Sequence, residues 1–272
     1  MPERGPGPAP VRAGRPPLVL MYHGFTRERR TDDPENLFVC VDELERQLSW
    51  LLSRGWQPLD LDGYLRAVRH GAPGRPSFLV TIDDGYTSVL DLALPVLERL
   101  RVPAVLYVPS HLVGDSAHWL ARPKDERLLD ADALVHLHTS TDVELGVHGA
   151  DHTDMRGRSA LDLTHQVVGA HDRLADLVGS PLRSFAYPFG AHDPAARSEV
   201  ARAGFDVAFS VFDDHGRLAV SRVDVNATDT LTSFRIKVQL PHYRKWWTAL
   251  DRMPAVRRHV RAVATRSSDR SR

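Results

Sequence analysis

The chain alternates between short apolar runs and longer stretches whose apolar residues recur at helical spacing. The apolar runs predict strands at 18–22, 57–61, 78–82, 103–108, 143–147, 183–186, 206–211 and 219–225. The helical stretches predict helices at 41–54, 61–70, 87–100, 132–139, 160–178, 193–203 and 230–239, the third with a kink or a later start at Pro95. Because this alternation runs from residue 18 to residue 240 without a repeat or a linker, it predicts one α/β domain with a parallel sheet.

Residues able to do chemistry follow four of the predicted strands. His23 follows the first strand, Asp83 and Asp84 follow the strand at 78–82, His148 follows the strand at 143–147, and a tight turn at 187–190 follows a later one. A chain of 272 residues fits a single (β/α) barrel. In such a barrel the carboxyl ends of the strands share one face, where catalytic residues collect. The sequence therefore predicts a functional site on that face.

Asp84, His148 and His152 form a candidate metal-binding set. Two histidines four residues apart can lie on one side of a helix or tight turn, and with one carboxylate they leave coordination positions for water and substrate. Asp83 points to the other side of the strand end and remains available as a base. The alternative is an ordinary Asp-Gly turn after a strand, with a histidine spacing that arises by chance among 14 histidines.

Three segments of the chain resemble the motifs of a known family. T-I-D-D-G at 81–85, H-G-A-D-H at 148–152 and F-A-Y-P-F-G at 185–190 are similar, in order and spacing, to the motifs of the polysaccharide deacetylases, carbohydrate esterase family four with its NodB-like domain. The similarity extends over about residues 18–225. The resemblance implies a distorted (β/α) barrel of about seven strands and metal-dependent removal of an acetyl group from an N-acetylated sugar.

The resemblance also implies a role for each matching residue. Asp83 matches the general base of the family, and Asp84, His148 and His152 match the ligands of its metal ion. Phe189 matches the residue whose backbone N–H stabilises the oxyanion. The implied cofactor is one divalent metal ion, with zinc expected first and cobalt, nickel or iron as alternatives that the same ligands accept.

The sequence departs from the family motifs at three places. Ala186 stands where the third motif has an arginine that orients the base, and Arg183 either substitutes for that arginine or lies at the surface. Gly149 replaces the common serine after the first histidine, which predicts a looser metal loop. The late Leu-x-His motif that supplies the general acid is missing after residue 219.

Met21-Tyr22-His23 has the form of that late motif but stands at the start of the domain. This arrangement resembles the circularly permuted branch of the family, which includes the biofilm poly-N-acetylglucosamine deacetylases. The resemblance implies that His23 is the general acid. The alternative is a histidine at a strand end that bonds to a carbonyl group.

Aromatic residues near the predicted face are candidates for substrate binding. Trp119 and Tyr187 can stack on the apolar face of a sugar ring, and the alternative for each is packing in the core or a loop. The chain has 35 lysine and arginine residues against 35 aspartate and glutamate residues, so no overall positive field indicates a nucleic-acid partner. The expected partner is an N-acetylated sugar or glycan.

The two ends of the chain differ in character from the predicted barrel at 18–240. Residues 1–17 are rich in proline, glycine and arginine and predict a flexible arm without the apolar segment of a signal peptide, and no apolar run is long enough to span a membrane. We therefore expect a cytoplasmic location. The basic tail at 241–272 carries Trp246 and Trp247, a composition typical of contact with an anionic membrane surface, but Pro254 interrupts the pattern and favours the alternative of a solvated helix with a frayed end.

Two rival functions stay open at this point. The same metal site can hydrolyse another C–N bond, such as a formamide or a cyclic amide. The chain can also be a carbohydrate-binding protein on a decayed deacetylase scaffold, which the missing motif arginine and Gly149 favour. The four intact residues Asp83, Asp84, His148 and His152 oppose that second alternative.

Overall fold

A parallel, curled β-sheet forms the centre of the structure, a computed structural model that describes residues 16–71, 74–121, 126–211 and 214–239. Eight strands in these ranges form the sheet, in the order β10-β1-β5-β6-β7-β8-β9, with β4 beside the first half of β5. They are β1 (Leu18–Tyr22), β4 (Gln57–Leu59), β5 (Ser77–Ile82), β6 (Ala104–Val108), β7 (Val143–Val147), β8 (Ser184–Ala186), β9 (Val207–Phe209) and β10 (Val223–Asp224).

Helices alternate with the strands of the main sheet from β1 to β9, and a last helix follows β10, as the sequence predicted. They are α1 (Val41–Ser53), α2 (Leu61–His70), α3 (Leu94–Leu100), α4 (Ala131–Ser140), α5 (Ala160–Thr164), α6 (Ala170–Val178), α7 (Pro194–Arg202) and α8 (Leu231–Gln239). Pro95 lies in the first turn of α3, and a π-helical turn directly precedes that helix, so the disturbance predicted at Pro95 takes the form of a change in helix type. Asp193 caps α7 by accepting a hydrogen bond from the Ala196 N–H at 2.9 Å. Two π-helical turns were not predicted, at Val89–Ala93 before α3 and at His165–Gly169 between α5 and α6.

The segment predicted as a strand at 219–225 joins the two edges of the curled sheet. Val220 pairs with Phe209 of β9, and three residues later Val223 pairs with Leu20 of β1. This segment therefore closes the sheet into a barrel, and its middle residues lie between β9 and β1. The prediction of one α/β domain built as a distorted parallel barrel is confirmed, although β9 and β10 are shorter than predicted.

The core has two layers because alternate residues of each strand face opposite sides of the sheet. Leu18, Leu20 and Tyr22 of β1 pack between the sheet and the outer helices, whereas Val19 belongs to a second cluster together with Leu79. The second cluster also receives residues from α2, which contributes Leu61, Tyr64 and Leu65. Buried strands of this kind need apolar residues on both faces, and this requirement explains the continuous apolar runs in the sequence.

Two short strands, β2 (Gly24–Thr26) and β3 (Phe38–Cys40), pair in parallel outside the main sheet. The sequence analysis did not predict these two strands, because three-residue strands leave no periodic pattern. Among the described residues, no helix is both long enough and apolar enough to cross a bilayer. The predicted N-terminal arm, up to residue 15, and the predicted basic tail lie outside the described residues.

Candidate active site

The end of β5 carries two buried carboxylates. The Asp83 N–H donates to the Tyr22 carbonyl at 2.9 Å, which continues the pairing of β5 with β1 for one more residue. Asp84 and Gly85 then adopt left-handed conformations, with φ of 77° and 79°. Aspartate and glycine tolerate this region better than most residues. The chain therefore turns sharply away from the sheet, and both carboxylates stay buried, each 2% exposed.

A tight loop after β7 presents the two histidines. The His148 N–H donates to the Val108 carbonyl at 3.0 Å and extends the pairing of β6 with β7. Gly149 and His152 are both left-handed, with φ of 76° and 55°, so the segment is a turn rather than a helix. The two imidazole rings lie 5.0 Å apart between centroids, on the same side of this turn.

Asp84, His148 and His152 come together as the sequence predicted. Their candidate ligand atoms all lie within 4.8 Å of one another, and all three residues are buried. The Oδ1 atom of Asp84 lies 3.3 Å from Nε2 of His148 and 3.1 Å from Nε2 of His152. This Oδ1 accepts no hydrogen bond from any described residue, although it is buried.

The hydrogen bonding of His148 indicates what fills the space between these atoms. Its Nδ1 lies 2.8 Å from the Ala186 carbonyl and must carry a proton to donate there. In the neutral ring Nε2 then carries no hydrogen, and its lone pair faces the carboxylate of Asp84. Two acceptors that face each other in a buried site need a positive charge between them, which either a metal ion or a proton on Nε2 supplies. The residues present therefore fit a divalent metal ion held by two imidazoles and one carboxylate.

The charges at this site favour a positive ion. Burial acts to raise the pKa of Asp84, but the nearby histidines outweigh it, and the pKa lies well below its usual range. Burial acts to lower the pKa of His148, but Asp83 and Asp84 outweigh it and raise the pKa. At His152 burial dominates and lowers the pKa. The field of the two carboxylates thus stabilises positive charge beside His148.

Asp83 is held by a buried arginine that sequence reasoning missed. Nη1 and Nη2 of Arg222 donate to the two carboxylate oxygens of Asp83, both at 2.7 Å. Arg222 as a whole is 1% exposed. Its guanidinium also donates to the Ser210 carbonyl and the Thr81 hydroxyl. Burial acts to raise the pKa of Asp83, but Arg222 and His148 outweigh it and lower the pKa. The carboxylate is therefore ionised and fixed in orientation.

Arg183 does not take the place of the motif arginine. Its side chain pairs with Asp62 at 2.6 Å and Asp206 at 3.1 Å in a partly exposed cluster. The alternative of a surface role for Arg183 is therefore confirmed. The signal for Arg222 was present in the sequence, because it is the only basic residue in the largely apolar predicted strand at 219–225. A buried charge in a strand needs a partner of opposite sign.

His23 lies at the same edge of the sheet, directly after β1. It is near enough to Asp83 and Asp84 for its charge to lower the pKa of both carboxyl groups. Its Nδ1 is buried and has no hydrogen-bond partner among the described residues. The structure therefore brings His23 together with the aspartates that the sequence analysis grouped with it.

Two aromatic side chains flank His152. Trp119 stacks on the imidazole, with ring centroids 3.9 Å apart and an interplanar angle of 26°. Phe189 approaches the same imidazole edge-on at 4.5 Å and is 59% exposed. The observed contact of Trp119 is thus with a candidate metal ligand, and its stacking on a sugar stays a prediction.

The turn at 187–190 exposes Phe189 through unusual backbone geometry. Phe189 has a φ of 58° and is followed by Gly190 with a φ of 65°. A Cβ atom on Gly190 would lie 2.8 Å from the backbone nitrogen of Val211, so only glycine fits there. Left-handed backbone at a residue other than glycine costs about 1 kcal/mol or more and is characteristic of functional sites.

Contrary to the sequence prediction, Tyr187 does not lie where a sugar ring could stack on it. Its side chain is fully buried, and its hydroxyl donates to the Leu218 carbonyl at 2.9 Å. The ring packs against Phe185 and His192, with centroids 5.2 and 4.7 Å away. No part of the ring is exposed for a sugar to stack on. The structure therefore contradicts the predicted substrate contact and supports the alternative of core packing.

Comparisons with known proteins give a family match whose range contains most of this site. A family model described as polysaccharide deacetylase matches residues 70–208. This match includes both aspartates, both histidines and Phe189, but it leaves out His23 and Arg222. The protein YxkH of Bacillus subtilis is 21% identical over 214 residues, which cover 76% of this chain and 71% of YxkH.

One further related protein and one solved structure are also similar to this chain. Poly-beta-1,6-N-acetyl-D-glucosamine N-deacetylase of Escherichia coli is 31% identical over 119 residues, which cover 43% of this chain and 16% of that protein. The structure of IcaB from Ammonifex degensii superposes with a TM-score of 0.70 and 24% identity, over 84% of this chain and 98% of IcaB. The structural similarity to IcaB establishes that the two chains share a fold.

Proposed function

Because the chain belongs to the polysaccharide deacetylase family, we propose that it hydrolyses the acetamide group of an N-acetylated sugar. One observation supports the proposal above all: two functional groups lie side by side at the end of β5. A metal-compatible set of one carboxylate and two imidazoles lies beside a separate carboxylate that Arg222 fixes. The substrate class is supported by the name of the E. coli relative, which acts on an N-acetylated glucosamine polymer.

Asp84, His148 and His152 would hold the metal ion. A divalent ion bound there would polarise the acetamide carbonyl and lower the pKa of a water molecule. Zinc is the expected ion, and cobalt, nickel or iron accept the same two nitrogen atoms and one oxygen atom. Trp119 supports this role by packing on His152, since the stacked indole restricts rotation of the imidazole.

Asp83 is the proposed general base. Its lowered pKa keeps it ionised at neutral pH, and the bidentate contact with Arg222 restricts its rotation. Each carboxylate oxygen has a second lone pair beyond the one that accepts from Arg222. Asp83 can therefore take a proton from the attacking water without breaking its contact with Arg222.

His23 and Phe189 are proposed to act on the substrate as the water attacks and the C–N bond breaks. The backbone N–H of Phe189 would donate to the oxygen that becomes negatively charged, and one such donor is worth about 3–4 kcal/mol in other hydrolases. His23 would donate a proton to the nitrogen as the C–N bond breaks, because an unprotonated amide nitrogen is a very poor leaving group.

A substrate with a good leaving group tests the role of His23. His23→Gln should lower acetate release from N-acetylglucosamine oligomers by about 10²–10⁴-fold, the usual contribution of a general acid. Hydrolysis of 4-nitrophenyl acetate should change far less, because nitrophenolate leaves without a proton. An equal loss with both substrates would contradict the assignment. The metal content of the variant should equal that of the wild type.

Metal content tests the proposed function most directly. We expect about one metal ion per chain in the purified wild type, because two imidazoles and one carboxylate suffice for a catalytic site. The double variant His148→Ala with His152→Ala should hold none and release no acetate. A matched double variant at two exposed histidines, His70→Ala with His136→Ala, should keep both properties.

The outcome also separates the rival functions. A wild type that binds no metal after incubation with zinc, cobalt or nickel would overturn the proposal and favour a binding protein on a decayed scaffold. The missing motif arginine no longer supports that rival, because Arg222 provides the guanidinium group beside Asp83. Metal binding with release of formate, or with ring opening of a cyclic amide, instead of acetate release would favour a different C–N bond.

A further inference from the structure

Gln166 connects directly to the loop between the two candidate histidine ligands. Its side chain is buried, with 5% of the residue exposed. Its Oε1 accepts a hydrogen bond from the Ala150 N–H at 2.9 Å, and its Nε2 donates to Oδ1 of Asp151 at 2.6 Å. Ala150 and Asp151 lie between His148 and His152, so one amide group holds the middle of the loop at two points.

The helix that carries Gln166 is locally altered at this residue. Gln166 lies in the π-helical turn His165–Gly169, which joins α5 to α6. A π-helical turn contains one residue more than the ordinary turn, and such turns are frequent at functional sites. Leu163 and Val167 on either side of Gln166 remain in the hydrophobic core. The extra residue thus lets Gln166 reach the loop without removing its neighbours from the core.

Gly149 provides the space that the amide occupies. A Cβ atom on Gly149 would lie 3.1 Å from Oε1 of Gln166 and 3.4 Å from Cγ of Pro188. The φ of Gly149 is 76°, which also disfavours a side chain. The glycine at this place and the glutamine at 166 are therefore complementary, and the glycine does not leave the loop unsupported.

The loop needs such support because its geometry is costly. His152 adopts a left-handed φ of 55°, which is unfavourable for a residue with a side chain. Without a hydrogen-bonded partner for Ala150 and Asp151, the loop can relax to conformations in which the two imidazoles no longer converge on Asp84. Holding ligands in place before an ion arrives increases affinity, because less ordering is needed on binding.

We propose that Gln166 is a positioning residue that braces the two-histidine loop and thereby sets the affinity of the site for its metal ion. The proposal rests on the proposed function, because it requires a metal at Asp84, His148 and His152. The ligand class is a divalent transition metal, and zinc is the probe for the test. Gln166 itself contacts neither the ion nor the substrate.

The first test compares two buried glutamines. Zinc affinity is measured by competition with a chromophoric chelator for wild type, Gln166→Leu and the control Gln47→Leu. Gln47 is equally buried and accepts a hydrogen bond from the Tyr22 hydroxyl at 2.8 Å, away from the loop. We expect about 10–100-fold weaker zinc binding for Gln166→Leu, the usual effect of losing a group that orients a ligand, and no change for Gln47→Leu. The melting temperature of the metal-free protein should fall in both variants.

The second test exchanges the amide and the carboxylate between positions 166 and 151. Gln166→Glu should weaken zinc binding, because it places a carboxylate against Asp151. Adding Asp151→Asn should restore affinity, since the asparagine amide can donate to Glu at 166 while the Ala150 N–H still finds an acceptor. A role in stability alone would not produce this recovery of metal affinity.

The outcomes distinguish the two levels of the proposal. If wild type binds zinc and Gln166→Leu binds it equally well, the brace is overturned and the proposed function stands. If wild type binds none of zinc, cobalt and nickel, the proposed function fails and the brace fails with it. If Gln166→Leu does not fold, the pair Gln166→Glu and Gln166→Glu with Asp151→Asn decides, and equal affinities in that pair overturn the brace.

Discussion

Replacing Asp83 with asparagine should lower acetate release from an N-acetylated sugar by at least about 10²–10⁴-fold, because the amide cannot accept the proton of the attacking water. The metal ion should remain, since Asp84, His148 and His152 are unchanged. Asparagine keeps one oxygen that can accept from Arg222, so the fold should persist with lower stability. Acetate release and metal content per chain, measured on the same preparation, check this expectation.

A surface aspartate provides the control for Asp83→Asn. Asp62 lies on α2 and pairs with Arg183 in the partly exposed cluster. Asp62→Asn should leave acetate release and metal content unchanged. Near-normal turnover in Asp83→Asn would refute the assignment of the base, whereas loss of the metal in that variant would mean that Asp83 acts as a ligand.

Removing the arginine partner of Asp83 should have a large effect on stability. Arg222→Met leaves a fully buried carboxylate without its counter-charge, and breaking a buried pair in this way costs about 3–5 kcal/mol. Activity should also fall, because Asp83 loses the contact that fixes its orientation, and burial then raises its pKa. Urea unfolding gives the free energy of unfolding, and acetate release gives the activity.

Two further variants identify the cause of that loss. Arg183→Met removes a partly exposed arginine and should change the free energy of unfolding by no more than about 1 kcal/mol, with normal activity. The double variant Asp83→Asn with Arg222→Met should be less destabilised than the sum of the single variants, because neither partner is left charged and buried. Simple additivity of the two effects would contradict direct pairing in solution.

The site is assembled from neighbouring strands at the place where the barrel closes. Asp83 and Asp84 follow β5, His23 follows β1, and Arg222 precedes β10, and these three strands are adjacent in the sheet. His23 and Arg222 come from opposite ends of the domain, outside residues 70–208. The proposed acid and the contact that orients the base therefore both depend on closure of the sheet by the first and last strands.

Local sequence patterns were sufficient to predict the strands, most helices and the metal-compatible set. Buried parallel strands need continuous apolar runs, and their carboxyl ends must share one face, so the positions of Asp84, His148 and His152 followed from neighbouring residues alone. The positions of His23 and Asp83 followed from the same argument. The start of α7 after Asp193 and the position of Pro95 in the first turn of α3 depend on bonds within a single turn, which sequence also records.

Contacts between distant segments could not be obtained in this way. Arg222 and Asp83 are 139 residues apart, and they meet only because β1 pairs with β5 on one side and with β10 on the other. Tyr187 has the sequence context of an exposed turn, yet its ring lies in the core, because its hydroxyl reaches the Leu218 carbonyl. Gln166 in the π-helical turn bonds to Ala150 and Asp151 of the histidine loop, a contact that no local periodicity contains. Sequence thus determined which residues stand at the strand ends, and tertiary packing decided which of them are held, by what partner, and with which charge.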